Sequence, residues 1–312
     1  MEKSSRIFIS GQTGLVGNAI FHLLSSEGYN NLLYPSHAEL DLTDPYATSQ
    51  FFKKEKPAYI FLAAAKVGGI GANLNYPAEF LYKNLMIASH VIHQSYINNV
   101  KRLLFLGSSC IYPKYNKQPI SEDDLLSGPL EYTNEPYAIA KIAGIKLCQS
   151  YNRQYGTSFI SAMPCNLYGK HDNFNIENGH VIPALITKMH HAHMNQSPFV
   201  EIWGTGQPLR EFLHADDLAR ACLTLMTNPI QYDIVNIGSG EEIAIRDLAL
   251  LIQRIISYKG ELIFRTDKPD GTPRKVLDSS RIREMGWKHT VSLEQGIKQV
   301  YEIKYLNKKI DK

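Results

Sequence analysis

Short apolar runs alternate with longer amphipathic ones through the first half of the chain. Arg6–Ser10 (RIFIS), Asn31–Tyr34, Tyr59–Leu62, Arg102–Leu106 and Phe159–Met163 read as strands. Between them, Leu15–Ser26, Asp44–Glu55, Ala78–Asn98 and Glu135–Tyr155 carry apolar positions at helical spacing. Strands this short, separated by helices this long, predict an α/β fold. Its core is a doubly wound parallel sheet covered by helices on both faces. After residue 165 the alternation loosens. Phe199–Ile202, Ile234–Ile237 and Glu261–Phe264 read as strands, and Asp216–Met226, Ile245–Ile256 and Leu293–Lys304 as helices. The expected organisation is one unit over residues 1–165 and a smaller mixed α/β lobe over 166–312. Some segments of the second part are expected to return to the first.

The chain has 312 residues, 44% hydrophobic and 20% charged, ordinary values for a globular protein. A net charge of +3, with the basic residues scattered, gives no footprint for nucleic acid. No stretch approaches the roughly 18 apolar residues of a membrane span, and the apolar run in MEKSSRIFIS is too short for a signal peptide. The cysteines at 110, 148, 165 and 222 have no metal or CxxC spacing. Free thiols in a reducing, cytoplasmic setting are the expectation. The C-terminal NKKIDK is expected to fray.

Chemistry enters at the first turn. GQTGLVG, residues 11–17, follows the first strand and opens the first helix. Glycines at 11, 14 and 17 let a backbone approach a pyrophosphate, and the first N–H groups of the helix then bind it. Placed there, the GxxGxxG motif marks a Rossmann-type dinucleotide site formed by Gly11, Gln12, Thr13, Gly14, Leu15, Val16 and Gly17. In ELDLTD, Asp41 and Leu42 are candidates to hold an adenine, although Asp41 or Asp44 also suits a helix cap.

Further along, GSSCIYP (107–113) ends the fourth strand, and EPYAIAKIAG follows. Tyr137 and Lys141 stand four residues apart, on one helix face. A phenol ionises near pH 10, and a neighbouring ammonium is expected to lower that value. Tyr137 would then give a proton to a carbonyl oxygen as hydride reaches its carbon. A strand-end serine, Ser108 or Ser109, would hold the same oxygen. Cys110 adds a potential base to that loop. On residue type alone it equally suits a small buried hydrophobe.

GxxGxxG, GSSCIYP and YxxxK together resemble the extended short-chain dehydrogenase/reductases. AAAKVGGIGAN, GSSCIYPK, EPYAIAKIAGIKLC, NLYGKHDNF, HVIPALI, WGTGQPLREFLH and KPDGTPRK resemble, more narrowly, the GDP-L-fucose synthase family. The resemblance runs from Gly11 to about Trp287. It implies NADPH-dependent epimerisation at C3 and C5, then reduction at C4, of a GDP-4-keto-6-deoxy sugar, with NADH as the alternative cofactor. It assigns base and acid to Cys110 and His180, the reduction to Ser108, Tyr137 and Lys141, and cofactor contacts also to Pro164, Asn166, Leu167 and His180. Lys188, Trp203, Arg210 and Asp270 match positions that contact substrate. Trp203 also suits a core plug, and Asp270 a turn. The family implies a homodimer built on the two long helices. A metal site is not expected, since HHAH at 190–193 reads as an exposed helix end. The chain departs from NADPH-preferring relatives in carrying Thr13, and Ser36-His37 after the second strand, where arginines can stand. Cys165 replaces a usual threonine.

Overall fold

A computed structural model describes residues 1–307 apart from 177, 178, 230 and 269. Most of the NKKIDK tail, residues 308–312, therefore lies outside the described residues. The first part contains β1 (Ile7–Ser10), α1 (Leu15–Ser26), β2 (Leu32–Leu33), α2 (Pro45–Glu55), β3 (Tyr59–Leu62), α3 (Ile70–Asn75), α4 (Pro77–Ile97), β4 (Arg102–Leu106), α5 (Glu135–Tyr155) and β5 (Phe159–Pro164). The rest contains β6 (Asn166–Tyr168), α6 (Val181–Met194), β7 (Phe199–Trp203), β8 (Leu209–His214), α7 (Ala215–Thr227), β9 (Ile234–Ile237), β10 (Glu242–Ala244), α8 (Ile245–Ile256), β11 (Glu261–Arg265), β12 (Arg274–Lys275), α9 (Ser280–Glu284) and α10 (Leu293–Tyr301).

Six of these strands form one sheet in the order β2-β1-β3-β4-β5-β9, every neighbouring pair parallel. The apolar runs are buried on both faces, as a sheet covered twice requires. Helices α2, α4 and α5 pack in a row on one side, while α1 packs with α7. Because the strands are parallel, the loops after β1, β4 and β5 leave the sheet at the same edge. The winding reverses between β1 and β3, which opens a crevice at that edge. β9 comes from the second half of the sequence, yet it completes this first sheet. Asp44 caps α2, accepting from the N–H groups of Tyr46 and Ala47 at 2.8 and 3.1 Å.

A second core gathers Tyr168, Ile186, Phe212, Leu248 and Ile297. At its centre β8 pairs with β6, β10 and β12, and β7 pairs with β11. The expected strand at Asn31–Tyr34 shortens to two residues, and α10 stops at Tyr301 and widens into a π turn over Glu302–Leu306. Among the described residues no helix is long and apolar enough to cross a membrane.

Candidate active site

The glycine turn is built for an anion. Gly14 caps α1 with no side-chain acceptor, and the first turn of the helix carries no acidic residue. Its leading N–H groups are thus free of any competing carboxylate. A Cβ on Gly17 would collide with the carbonyl oxygen of Gly11, so only glycine lets the helix sit this close to the turn. The Ser10 hydroxyl, accepting from Ala63 and Ala64 N–H at 3.1 and 3.0 Å, pins the end of β1 to the end of β3. These features fit a dinucleotide pyrophosphate over Gly11–Gly17. Asp41 is committed locally: its carboxylate accepts from the Thr43 N–H and hydroxyl, which hold it below the usual carboxylate range. Leu42 is buried, and its carbonyl meets His90 Nδ1. Ser36 gives both its N–H and its hydroxyl to Glu39, at 2.7 and 2.8 Å. His37 is exposed, 3.9 Å from Asp41.

At the end of β4 the chain turns into a single 3-10 turn, Ser109–Ile111, capped by the Ser108 oxygen, which accepts from Cys110 N–H at 3.3 Å. Ser108 stays half-buried, whereas Ser109 is buried. The Cys110 thiol is 8% exposed. Burial pushes its ionisation up, while Lys275, the Ser108 hydroxyl and Lys141 pull it down.

Helix α5 brings Tyr137 and Lys141 to this loop. It can do so because Gly144, one turn on, faces the Phe105 ring and Ala88, where a Cβ has no room. The Lys141 ammonium, 4% exposed, donates to the Leu106 carbonyl at 2.7 Å and lies 5.7 Å from the centre of the Tyr137 ring. The expected lowering of the tyrosine by this lysine is not what the structure gives. Burial pushes the Tyr137 phenol up, and proximity to Cys110 pushes it further. Burial also brings Lys141 down to about 8, with Cys110 opposing that fall. Desolvation outweighs the attraction, and one of the three ammonium donors is held by a backbone oxygen. The consequence is a phenol held protonated, the form a proton donor needs.

Lys141 is charged below its depressed value and neutral above it. Reduction that depends on the ammonium should therefore decline as pH rises through about 8. The pH profile of kcat/KM, which reports groups of the free enzyme, checks this. Lys141→Arg should remove that decline.

The remaining residues sit around the crevice and the second lobe. Pro164 ends β5, and Asn166 and Leu167 lie in β6, with Asn166 Nδ2 donating to the Glu211 carbonyl at 2.9 Å. Cys165 is buried between them, with its thiol pushed well up by burial. His180 is exposed at the N-cap of α6, makes no side-chain cap and faces the Asp172 carboxyl. Lys188, half-buried on α6, is lowered by burial, with Glu201 opposing. Trp203 is 66% exposed with Lys268 over its ring, so it plugs no core. Arg210 is half-buried in β8 and lowered by burial, with Asp270 opposing. Asp270 clamps the turn at Thr205, accepting from its N–H and hydroxyl at 2.9 and 2.7 Å.

The four cysteines are free and buried. His190 is not at an exposed helix end: its ring stacks on Tyr305 at 3.9 Å, and its Nδ1 lies 3.2 Å from the Tyr301 hydroxyl. Among the described residues no group of three or more potential ligands is placed to hold a metal. Sequence reasoning passed over Lys275 and Glu211. Both stand in quoted motif words, but only the pairing of β8 with β12 shows what they face.

Residues 7–238 match the profile of the NAD dependent epimerase/dehydratase family. The chain is 54% identical to the putative GDP-L-fucose synthase 2 of Arabidopsis thaliana over 302 residues, 97% of this chain and 92% of that protein. It is 52% identical to the GDP-L-fucose synthase of Escherichia coli over 307 residues, 95% of each. Among solved structures it resembles a GDP-mannoheptose C4 reductase from Campylobacter jejuni with NADP bound. That match has a TM-score of 0.90 and 41% identity, covering 97% of this chain and 99% of the other.

Proposed function

The chain belongs to the NAD dependent epimerase/dehydratase family, and we propose that within it the protein converts GDP-4-keto-6-deoxy-D-mannose to GDP-L-fucose, inverting C3 and C5 and then reducing C4. One cluster carries this reading. The Cys110 thiol lies within electrostatic reach of Tyr137 and Lys141, on the loop that presents Ser108. A base, a proton donor and an oxygen holder therefore converge on one ketone and its neighbouring carbons.

The 4-keto group acidifies the hydrogens on C3 and C5, because the carbanion delocalises onto O4. Cys110 removes them. His180, at the N-cap of α6, returns protons on the opposite ring face. Ser108 holds O4 throughout. When bound, NADPH, with NADH as the alternative, supplies the hydride to C4. Tyr137 gives O4 its proton, a downhill transfer even from a raised phenol, since an alkoxide is far more basic than a phenolate. Gly11–Gly17 hold the pyrophosphate of the cofactor, with Asp41, Leu42, Lys141, Pro164, Asn166, Leu167 and His180 as further contacts. Arg210 and Lys188 meet the substrate diphosphate, with Trp203 and Asp270 beside them.

Incubation with GDP-4-keto-6-deoxy-D-mannose and NADPH should give GDP-L-fucose. A 4-reduced sugar of unchanged C3 and C5 configuration would overturn the epimerase part. The second reading, a C4 reductase of a related GDP-4-keto-6-deoxy sugar such as a heptose, draws on the likeness to the Campylobacter enzyme. Faster turnover of the keto-heptose would favour it.

Discrimination against NADH is expected to be weaker than in a relative that carries arginines where this chain has Thr13 and Ser36-His37. Ser36 is occupied by Glu39, and neither Thr13 nor His37 is a permanent cation. Dissociation constants for the two cofactors should differ by less than about 10³-fold, near 4 kcal/mol. A larger gap would reveal a phosphate site elsewhere.

The protein works as a cytoplasmic homodimer. Helices α4 and α5 pack together and leave Tyr82, Ile97, Ile139 and Tyr155 exposed, apolar area that a second copy would cover. Light scattering at micromolar concentration checks this, and a monomer would refute it.

A further inference from the structure

The turn that carries Ser108 and Cys110 is weakly held by its own hydrogen bonds. Cys110 N–H donates to the Ser108 hydroxyl at 3.3 Å, Ile111 N–H to the Ser108 carbonyl at 3.3 Å, and Tyr112 N–H to the Ser109 carbonyl at 3.5 Å. All three are long for bonds of this kind. Among the described residues, 108–111 make no hydrogen bond outside this turn. Ile111 is fully buried and packs the turn down. Apolar contact is non-directional, so it does not fix where a hydroxyl or a thiol points.

The directional anchors lie at the two ends of the turn. Before it, Gly107 N–H donates to the Ala162 carbonyl of β5 at 2.9 Å. A Cβ on Gly107 would run into the Met163 sulfur, so the chain crosses β5 in close contact. After the turn, the Tyr112 hydroxyl donates to Asn236 Oδ1 at 2.6 Å, and both side chains are buried. Asn236 belongs to β9, the strand that closes the sheet beside β5. It is held in its turn by the segment that follows the loop. Its Nδ2 donates to the Ile120 carbonyl at 3.0 Å, and its backbone N–H donates to Glu122 Oε1 at 2.8 Å. With Nδ2 on a carbonyl, Oδ1 is the atom left to face the phenol. Arg281 braces the outer end, 3.5 Å from Glu122 Oε2 and donating to the Ile234 carbonyl at 3.1 Å.

We propose that Tyr112 is a positioning residue: its hydroxyl, through Asn236, fixes the loop on β9 and so sets where the Ser108 hydroxyl and the Cys110 thiol stand. It acts through those two groups and not on the substrate. A shift of about 1 Å at a reacting group can cost about 10²-fold in rate, even when its cause lies away from the chemistry. The consequence for catalysis rests on the reading of Ser108 and Cys110 as reacting groups, whereas the anchoring itself does not.

Tyr112→Phe keeps the ring and removes the hydroxyl. It leaves Asn236 Oδ1 buried without a donor, so the variant should melt earlier than the native protein. Combining it with Asn236→Leu removes both partners, and most of the lost melting temperature should return. Ile120 keeps a partner in that double variant, because its carbonyl also accepts from Asp278 N–H at 2.8 Å. Turnover separates positioning from stability. In the single and the double variant alike, kcat for GDP-4-keto-6-deoxy-D-mannose should fall about ten- to a hundredfold, with KM and cofactor affinity within about twofold of native. Hydrogen exchange of amides 107–112 in the enzyme without substrate should speed up in both variants, and so should iodoacetamide alkylation of Cys110. Recovery of kcat together with melting temperature in the double variant would make Tyr112 a stability residue only and overturn the proposal. Native exchange and alkylation rates in Tyr112→Phe would overturn it too. If both rates rise, but the native enzyme neither reduces the keto sugar nor exchanges its C3 and C5 hydrogens, the anchoring stands and the epimerase-reductase reading fails.

Discussion

Replacing Tyr137 by phenylalanine is expected to cut reduction of the keto sugar by about 10² to 10⁴, the usual worth of a general acid, while cofactor binding is retained. The ring itself stays useful. It packs edge-on against Phe80, with centroids 6.3 Å apart, and phenylalanine keeps that contact. What is lost is the proton that the proposed mechanism gives to O4. No substitute is at hand: the Lys141 ammonium is held on the Leu106 carbonyl, and in the proposed reaction Cys110 serves as the base of the preceding steps. Stopped-flow loss of reduced-cofactor absorbance measures the rate, and fluorescence titration measures binding. Near-native turnover would remove Tyr137 from the reaction.

Replacing Cys110 by serine should stop the inversions and spare part of the reduction. Proton removal next to the ketone needs no hydride. The native enzyme in heavy water, with the GDP-keto sugar and no reduced cofactor, should therefore place deuterium at C3 and C5. A hydroxyl ionises far less readily than a thiol, whose unperturbed value is near 8.5. The serine variant should show no exchange above background. Because Ser108, Tyr137 and Lys141 are untouched, it should still reduce the unepimerised ketone slowly, to a sugar distinguishable by NMR. Exchange at the native rate would exonerate the thiol. An absence of exchange in the native enzyme, with brisk reduction, would make this a plain 4-reductase.

Much of the first sheet could be read from its periodicity. β1, β3, β4 and β5 are runs buried on both faces, and such runs contain few polar residues to obscure them. The second lobe was harder for a physical reason. In β8 the sequence LREFLH sets Arg210 and Glu211 side by side, and a strand with adjacent charges reads as surface. Glu211 is nevertheless fully buried, because its carboxylate gathers the N–H groups of Gly240 and Leu277. β12 has two residues, too few for any pattern. β9 was legible as a strand but not as a member of the first sheet, since pairing partners leave no mark on a strand's own composition.

The candidate site divides the same way. GxxGxxG, the serine loop and YxxxK declare themselves locally. Electrostatics do not. The raised Tyr137 and the depressed Lys141 both depend on burial created by distant segments. Trp203, read as a candidate substrate contact that also suits a core plug, lies on the surface, which removes the second option.

The late arrival of β9 shapes how the chain must be made. β5 is bonded on one edge by β4 and on the other by β9, through pairs such as Ser161 with Ile234 and Met163 with Asn236. During synthesis from the N-terminus, β5 emerges well before its outer partner. Until residue 237 is out, its outer row of N–H and C=O groups faces whatever else is nearby, in a segment apolar enough to be fully buried later. A chain halted at residue 165 should for that reason aggregate rather than form a free-standing nucleotide-binding unit, and the nascent protein should depend on chaperones most strongly between the fifth strand and the ninth.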